Sequence, residues 1–338
     1  GASGMYDAEG APVAGDTSKV RTVTLDALDN TTYATSQRTG EVVSNLFADR
    51  DLNYFIEDKV TYLTRADWNT FPTPIENFEA TPEIVDLLEN PQYEKPADAP
   101  DISSFKFGQD VTIKFVELKD VEWEDDDTWN TFIDQLDISS LVQVAGEQMG
   151  MAAMPDVGLP AYLSCDGPDG HQNGELFNAE VVAASTFSPE MLTERGYFFG
   201  EEAYWLRHPV VYGPGANIHR TPYSGRNFEY YSEDGMLTGL IAAWECKGIE
   251  EKGVHVYNKH CVVNDQETCR HGVCVWVSEQ ALREIYLRAF ELPITMGGAY
   301  NTMASFARIG TISGSACSAL GTDFLRGECG MKGIIVTD

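Results

Sequence analysis

Five side chains in this 338-residue chain fall where short apolar runs end: Asp166, Arg226, Lys259, His260 and Asp338. Asp166 follows Pro160–Ser164, and Arg226 lies in the long loop after Val210–Tyr212. Lys259-His260 follow Val254–Tyr257, and Asp338 closes the run Gly333-Ile334-Ile335-Val336-Thr337-Asp338. A short apolar run ending in an acid reads as a buried strand that delivers a carboxylate to a rim. In parallel β/α barrels the carboxyl ends of the strands hold the active site. Two acids, several cations and nearby aromatics suit a polyhydroxylated neutral ligand. A carboxylate accepts paired hydrogen bonds from vicinal hydroxyls, while Lys, His and Arg donate to others. Phosphate binding calls for a glycine-rich loop at a helix N-terminus, and Gly213-Pro214-Gly215 is too short and too stiff for that. The competing reading of an adjacent Lys-His pair is structural, with one side chain packed and the other solvated.

The elements that must position these groups alternate. Trp129, Phe132, Ile133 and Leu136 recur at helical spacing, and a second helix begins at Ser139-Ser140-Leu141-Val142. Strand-like runs at Pro160–Ser164, Val181-Val182, Val210–Tyr212, Val254–Tyr257, Thr302–Phe306 and Ile334–Val336 follow. Between them lie helices that start at Ser188-Pro189-Glu190, Ser232-Glu233-Asp234 and Ser278-Glu279-Gln280, with a further helix over Asp323–Glu328. About seven such units predict a parallel β/α barrel rather than a three-layer sandwich. Upstream, residues 1 to about 40 read as irregular or short-stranded. Val60–Thr64 and Val111–Phe115 read as strands, Thr81-Pro82-Glu83 as the start of a short helix, and Asn90–Pro100 as a linker. Glu122–Asp127 reads as a solvated acidic connector.

The formal net charge of −30 disfavours nucleic acid and anionic membrane surfaces as partners. No stretch approaches the roughly 18 consecutive apolar residues of a membrane helix. Seven cysteines at scattered spacing read as free thiols in a reducing compartment. With no signal-peptide pattern at Gly1–Met5, this favours a cytoplasmic location. Cys269-x4-Cys274 with His271 between them has no second pair at zinc-finger spacing, so no metal and no cofactor is expected.

Taken together, the motifs resemble glycoside hydrolase family 3. The loop Gly213–Asp234 is similar to the family's signature loop. Lys259-His260, Asn264-Asp265-Gln266-Glu267 and Arg270 resemble its next motif, and Ser278–Leu287 the helix after it. Leu325-Arg326-Gly327-Glu328, Lys332-Gly333 and Val336-Thr337-Asp338 resemble the segment with the nucleophile, and Gly158-Leu159-Pro160 with Asp166-Gly167-Pro168 the first sugar-binding turn. The resemblance runs from about Trp123 to Asp338.

It implies a (β/α)8 barrel of TIM type over residues 121–338, ending after its seventh strand. Residues 1–120 would be an irregular, β-containing linker segment, or the tail of an upstream domain as in members with reversed domain order. By the same resemblance Asp338 is the nucleophile of a retaining exo-β-glycosidase, most simply a β-glucosidase. Asp166 holds hydroxyls far from the scissile bond, Arg226, Lys259 and His260 bind the innermost sugar, Arg270 orients carboxylates, and Met303 lines the pocket. The aromatic after Met303, commonly tyrosine in the family, is Phe306. The arginine that often follows Asp-Gly-Pro is Gln172, the asparagine after the aromatic is Ala307, and Glu-Trp-Gly-Phe is Glu328-Cys329-Gly330-Met331. A retaining mechanism needs a second carboxyl group. In the family that group comes from an α/β sandwich domain, expected here from outside the chain, in the same polypeptide or another; Glu229, Glu233 and Glu267 fit structural roles better. The expected partners are β-linked glucosides or oligosaccharides. The alternatives are a β-xylosidase or related β-glycosidase, and a weakly catalytic carbohydrate-binding barrel.

Overall fold

The computed structural model describes residues 35–62, 77–91, 95, 97, 99–146 and 149–338. Its centre is a parallel sheet of five short strands: β1 (Ser164–Asp166), β2 (Val210–Tyr212), β3 (His255–Cys261), β4 (Asn301–Ala304) and β5 (Ile335–Thr337). The strands lie side by side in chain order. Ser164 pairs with Val210, Val210 with His255, Tyr257 with Asn301, and Thr302 with Ile335.

Side chains alternate across this sheet, as the strand period of two requires. Val210, Tyr212, Tyr257 and Met303 cluster on one face with Tyr162 and Val336. Val211 and Val256 point the other way, into Phe199, Ala203, Cys246 and Ile249. Residues from β2 and from the far strand β5 meet in the first cluster, which requires the sheet to curl with that face concave. The result is a barrel wall with helices outside.

Three long helices form that outer layer: α1 (Pro189–Leu206), α2 (Gly235–Glu250) and α3 (Arg288–Gly297). Each begins or ends by local chemistry visible in its residues. Ser188 Oγ accepts from Met191 N at 3.2 Å ahead of Pro189, and Asp234 accepts from Leu237 N at 2.6 Å. α2 lies between α1 and α3. It approaches α1 so closely that a Cβ on Gly248 would stand 2.1 Å from the Thr193 carbonyl oxygen, and one on Gly196 2.1 Å from that of Glu245. The helical stretch before α3 widens to π geometry over Leu282–Leu287, and the last helix, Ala319–Glu328, is π-type throughout.

Several elements depart from the sequence expectation. The central sheet has five parallel strands, against about seven expected units, and Cys274-Val275 and Arg308-Ile309 pair in parallel in a separate small sheet. Val181-Val182 lies in a helix, Glu180–Ala184, because Glu180 and the alanines around the valines carry the helical pattern and the turn is locked by Glu180 accepting from Gly215 N. Val111–Phe115 has no partner strand. The Gln135 side chain takes the place of one: its Oε1 accepts from Thr112 N (2.5 Å) and Ile113 N (2.8 Å), and its Nε2 donates to Ile113 O. Val60–Tyr62 is likewise not a strand, and Leu63-Thr64 lie outside the described residues. The acidic run is exposed as expected, but Asp126 and Asp127 form the first turn of helix Asp126–Asp134, where the helix dipole favours anions. Helices at Pro82–Glu89 and Ile138–Gly146 form where expected.

The segment Thr35–Arg50 is built into the helical layer. Leu46 N and Phe47 N donate to the two Glu279 carboxylate oxygens (2.9 and 3.0 Å), Phe47 is fully buried, and Arg283 reaches Ser44 O.

The helix contact yields a stability test. Gly196→Ala puts its Cβ against backbone that cannot retreat and is expected to destabilise the fold by about 1–3 kcal/mol. Gly272→Ala, where a Cβ meets nothing within 4 Å, should stay within about 0.5 kcal/mol. Denaturant unfolding of both variants checks this, and equal effects would refute the close-contact account.

Candidate active site

The concave end of the sheet gathers the residues singled out from the sequence. Asp166 ends β1, and its Oδ1 receives a 2.6 Å ion-paired hydrogen bond from Lys259 Nζ. The Lys259 side chain is almost wholly buried, whereas that of Asp166 is about two-thirds exposed at the rim. Lys259 and His260 are neighbours in β3 and both reach the pocket. A regular strand would send them to opposite faces, but the pairing with β4 is irregular between Asn258 and Cys261, where the Lys259-His260 and Cys261-Val262 peptides are cis. Asn217 anchors this irregular stretch. Its Nδ2 donates to His260 O (2.8 Å) and Val262 O (3.3 Å), and its Oδ1 accepts from His260 N (2.8 Å).

Asp338 follows β5, and its backbone N–H donates to Ala304 O at 3.2 Å. Its carboxylate Oδ2 lies 3.7 Å from His260 Nε2. Burial pushes the Asp338 carboxyl above its ordinary range; Arg226, Arg270 and Lys259 pull it back, and Asp166 adds to the rise. Burial drives His260 well below its ordinary range, and the same three cations push it further down, so the imidazole is neutral.

A chain of hydrogen bonds sets the orientation of that imidazole. Arg270 donates to Glu267 Oε2 at 2.9 Å, and the other oxygen of Glu267 accepts from Asn264 Nδ2 at 2.9 Å. A carboxylate only accepts, so the Asn264 amide presents its NH2, which also donates to Tyr230 Oη at 2.7 Å. Burial keeps the Tyr230 phenol protonated, and its hydrogen is free for His260 Nδ1 at 3.2 Å. Asn217 Oδ1, 3.3 Å from that nitrogen, already takes the shorter bond from His260 N–H. In this arrangement His260 carries its proton on Nε2, toward Asp338.

The remaining expected residues fall in place around this line. Met303 is buried on the concave face, in register with Val336 two residues before Asp338. Arg226 is ion-paired to the buried Glu229. Phe306 stacks under the Arg270 guanidinium at 4.5 Å and beside His271 at 4.2 Å. His271 is thus occupied against a ring, and Cys269, His271 and Cys274 do not converge on a common point. Asn217, Tyr230 and Asn264 belong to motifs quoted above, yet their parts in the site were missed. Buried amide or phenol partners leave no spacing signature, and only the three-dimensional chain reveals them.

A second, fully buried charge group holds the turn after Asp166. Arg195 of α1 is ion-paired to Glu245 of α2 and donates to the carbonyls of Pro168 (3.1 Å) and Asn178 (3.2 Å), with Asp169 at 3.7 Å. Tyr231 donates to Glu245 Oε2 at 2.8 Å. Glu180 is enclosed beside them, and burial, reinforced by Glu245, raises its carboxyl far above the ordinary range.

Residues 130–338 match the glycosyl hydrolase family 3 N-terminal domain. This chain belongs to glycosyl hydrolase family 3, and its parallel sheet is part of that family's TIM-like barrel. It is 37% identical over 233 residues to a beta-glucosidase of Ruminococcus albus, covering 62% of this chain and 24% of that protein. It superposes on beta-glucosidase 3B from Thermotoga neapolitana in complex with glucose with a TM-score of 0.54 at 40% identity, over 58% of this chain and 29% of that one. For a beta-glucosidase from Paenibacillus barengoltzii the TM-score is 0.62 at 27% identity, over 79% and 29%. The chain spans about a quarter of the length of the curated relatives it matches.

Two outcomes follow from the charges. Glu245→Gln removes the nearer of the carboxylates paired with the buried Arg195, leaving Asp169 at 3.7 Å, and should cost about 3–5 kcal/mol. Glu180→Gln replaces a carboxyl that burial already keeps neutral, and should cost about 1 kcal/mol or less. Unfolding curves at neutral pH distinguish them, and a reversed order would contradict the assigned ionisation. At Asp338, Arg270→Gln removes a cation that opposes burial, so the carboxyl should titrate higher than in the wild type. Carboxyl-carbon NMR titration reads this directly, and an unmoved or lowered value would mean that Arg270 does not act on Asp338.

Proposed function

We propose that this chain is the nucleophile-bearing barrel of a retaining, exo-acting β-glycosidase, with β-glucosides as its substrates. The observation that carries this is the Asp338 carboxylate at a strand end, 3.7 Å from a neutral, fully buried His260 and opposite the Lys259–Asp166 pair. The beta-glucosidase names of the relatives support the choice of sugar.

In this reading the Asp338 carboxylate attacks the anomeric carbon as the glycosidic bond breaks, and a glycosyl ester forms on Asp338. A second carboxyl group, about 5–5.5 Å away in retaining enzymes, protonates the departing oxygen and then takes a proton from the water that hydrolyses the ester. Lys259, His260 and Arg226 donate to ring hydroxyls, while Asp166 accepts from the far end of the sugar. Met303 and the concave tyrosines provide the apolar floor. Arg270 acts through Glu267 and through its charge on Asp338.

The second carboxyl group is assigned to an α/β sandwich domain, in the same polypeptide or in another chain. Two of the barrel's own candidates are already engaged, Glu229 by Arg226 and Glu267 by Arg270 and Asn264, and Glu233 is exposed beside the cap of α2.

The full-length protein should accumulate a covalent adduct with an activated 2-deoxy-2-fluoro-β-glucoside, located on Asp338 by peptide mass spectrometry. Asp338→Asn should abolish labelling and lower turnover by roughly 10⁴-fold or more. Since the nucleophile must be ionised and burial raises its carboxyl, the acid limb of kcat/KM should lie above the ordinary aspartate range. Undiminished turnover in a folded Asp338→Asn protein would end this reading.

A further inference from the structure

On the opposite side of β1 from the pocket, three side chains from separate elements converge. Cys165 is next to Asp166 in β1, so strand alternation turns it away from the concave face, and it is buried. His171 follows the Asp166-Gly167-Pro168 turn and is 97% buried, its exposure being 3%. His208 follows the left-handed residue that ends α1, Arg207 (φ 61°). One ligand atom from each, the Cys165 thiol and a ring nitrogen of both histidines, lies within 4.8 Å of the other two.

Each of the two histidines has a ring nitrogen without a partner, while the Cys165 thiol donates to Asp166 O at 3.2 Å and would give up that proton to a metal. His171 Nε2 is 2.9 Å from Phe199 O, so that nitrogen carries the proton and donates. Its Nδ1 is left with a lone pair, buried and without a partner. His208 Nδ1 is also buried and without a partner. A ring N–H held by a backbone carbonyl, with the other nitrogen free, is how proteins orient a metal-binding imidazole. Glu202 of α1 adds charge: its Oε1 accepts from Glu175 N at 2.5 Å, its Oε2 is buried and unpartnered, and its charge acts on both Cys165 and His171.

We propose that Cys165, His171 and His208 form a binding site for one zinc ion, with the fourth tetrahedral position left to water. One thiolate and two imidazoles favour zinc over the hard, oxygen-seeking cations. Zinc bond lengths of about 2.3 Å to sulfur and 2.0–2.1 Å to nitrogen set ligand separations near 3.5 Å, so the three side chains close by about 1 Å on binding. Binding replaces the thiol proton by the metal and releases that proton to solvent. Cys165 faces away from the pocket, so the ion takes no part in bond cleavage. It ties the strand and turn that carry Asp166 to the C-terminal end of α1.

The test uses the full-length protein, reduced, stripped with a chelator and titrated with Co(II). One equivalent should bind with a thiolate-to-cobalt charge-transfer absorption, and Zn(II) should displace it. Cys165→Ser should lose that absorption, and His171→Gln and His208→Gln should each weaken binding at least about 10-fold. Zn(II) should raise the melting temperature of the wild type and leave that of Cys165→Ser unchanged. Absence of the charge-transfer absorption in the wild type overturns the proposal without recourse to variants. Its persistence in folded Cys165→Ser would place the thiolate elsewhere and overturn it equally.

Discussion

A guanidinium that cannot reach water dictates how this barrel wall is assembled. Arg195 emerges from α1 into the interior, where an unpaired charge would cost several kcal/mol. Glu245 of α2 neutralises it, and the carbonyls of Pro168 and Asn178 accept from its Nη2. Each partner comes from a different element, so the pairing ties two helices to the turn that follows β1. That turn presents Asp166, and the Asp166–Lys259 pair in turn locates the end of β3. The glycines at the α1–α2 contact serve the same end. Only without a Cβ at 196 and 248 do the helix backbones come close enough for Arg195 and Glu245 to meet.

From that frame the pocket acquires opposed electrostatics. Burial alone pushes the Asp338 carboxyl up and the His260 imidazole down, each toward its neutral form. Cations on the rim act in one direction on both groups, favouring the ionised carboxylate and opposing an imidazolium. The combination places a charged acceptor beside a neutral donor. That pairing allows the Asp338 carboxylate to stay ionised without a full ion pair at its exposed oxygen.

Much of this was legible in the residues. Asp166, Lys259, His260 and Asp338 each end an apolar run, and Ser188 and Asp234 announce their helices by capping chemistry. Those signals are local, and local signals survive reading in one dimension. What failed was decided at a distance. Val111–Phe115 alternates like a strand, but its backbone is satisfied by the side chain of Gln135, some twenty residues on. Val181-Val182 has strand-forming residues, yet the helix there is fixed by Glu180 reaching Gly215 N. Cys165, His171 and His208 share no spacing that a metal motif would show, because a turn and two helices separate them. Arg195 offered no cue at all, since an arginine in an amphipathic stretch is normally a solvated one.

Phe306 shows how such a network absorbs a departure from the family pattern. A tyrosine there would offer a hydroxyl toward the Asp338 region as well as a ring. Phenylalanine keeps the ring, and the Arg270 guanidinium lies over it at 4.5 Å, a cation–π contact that needs no hydroxyl. Glu267 fixes Arg270 from its other side at 2.9 Å, and through Asn264 and Tyr230 the same carboxylate sets the His260 proton. The orientation of donors toward Asp338 therefore rests on Glu267 and its amide and phenol partners, with the aromatic serving as a platform. The polarity of the site is set without a hydroxyl at position 306. Loss of Glu267 would free Arg270, Asn264 and Tyr230 together, so this carboxylate, and not the aromatic, is the element on which the local order turns.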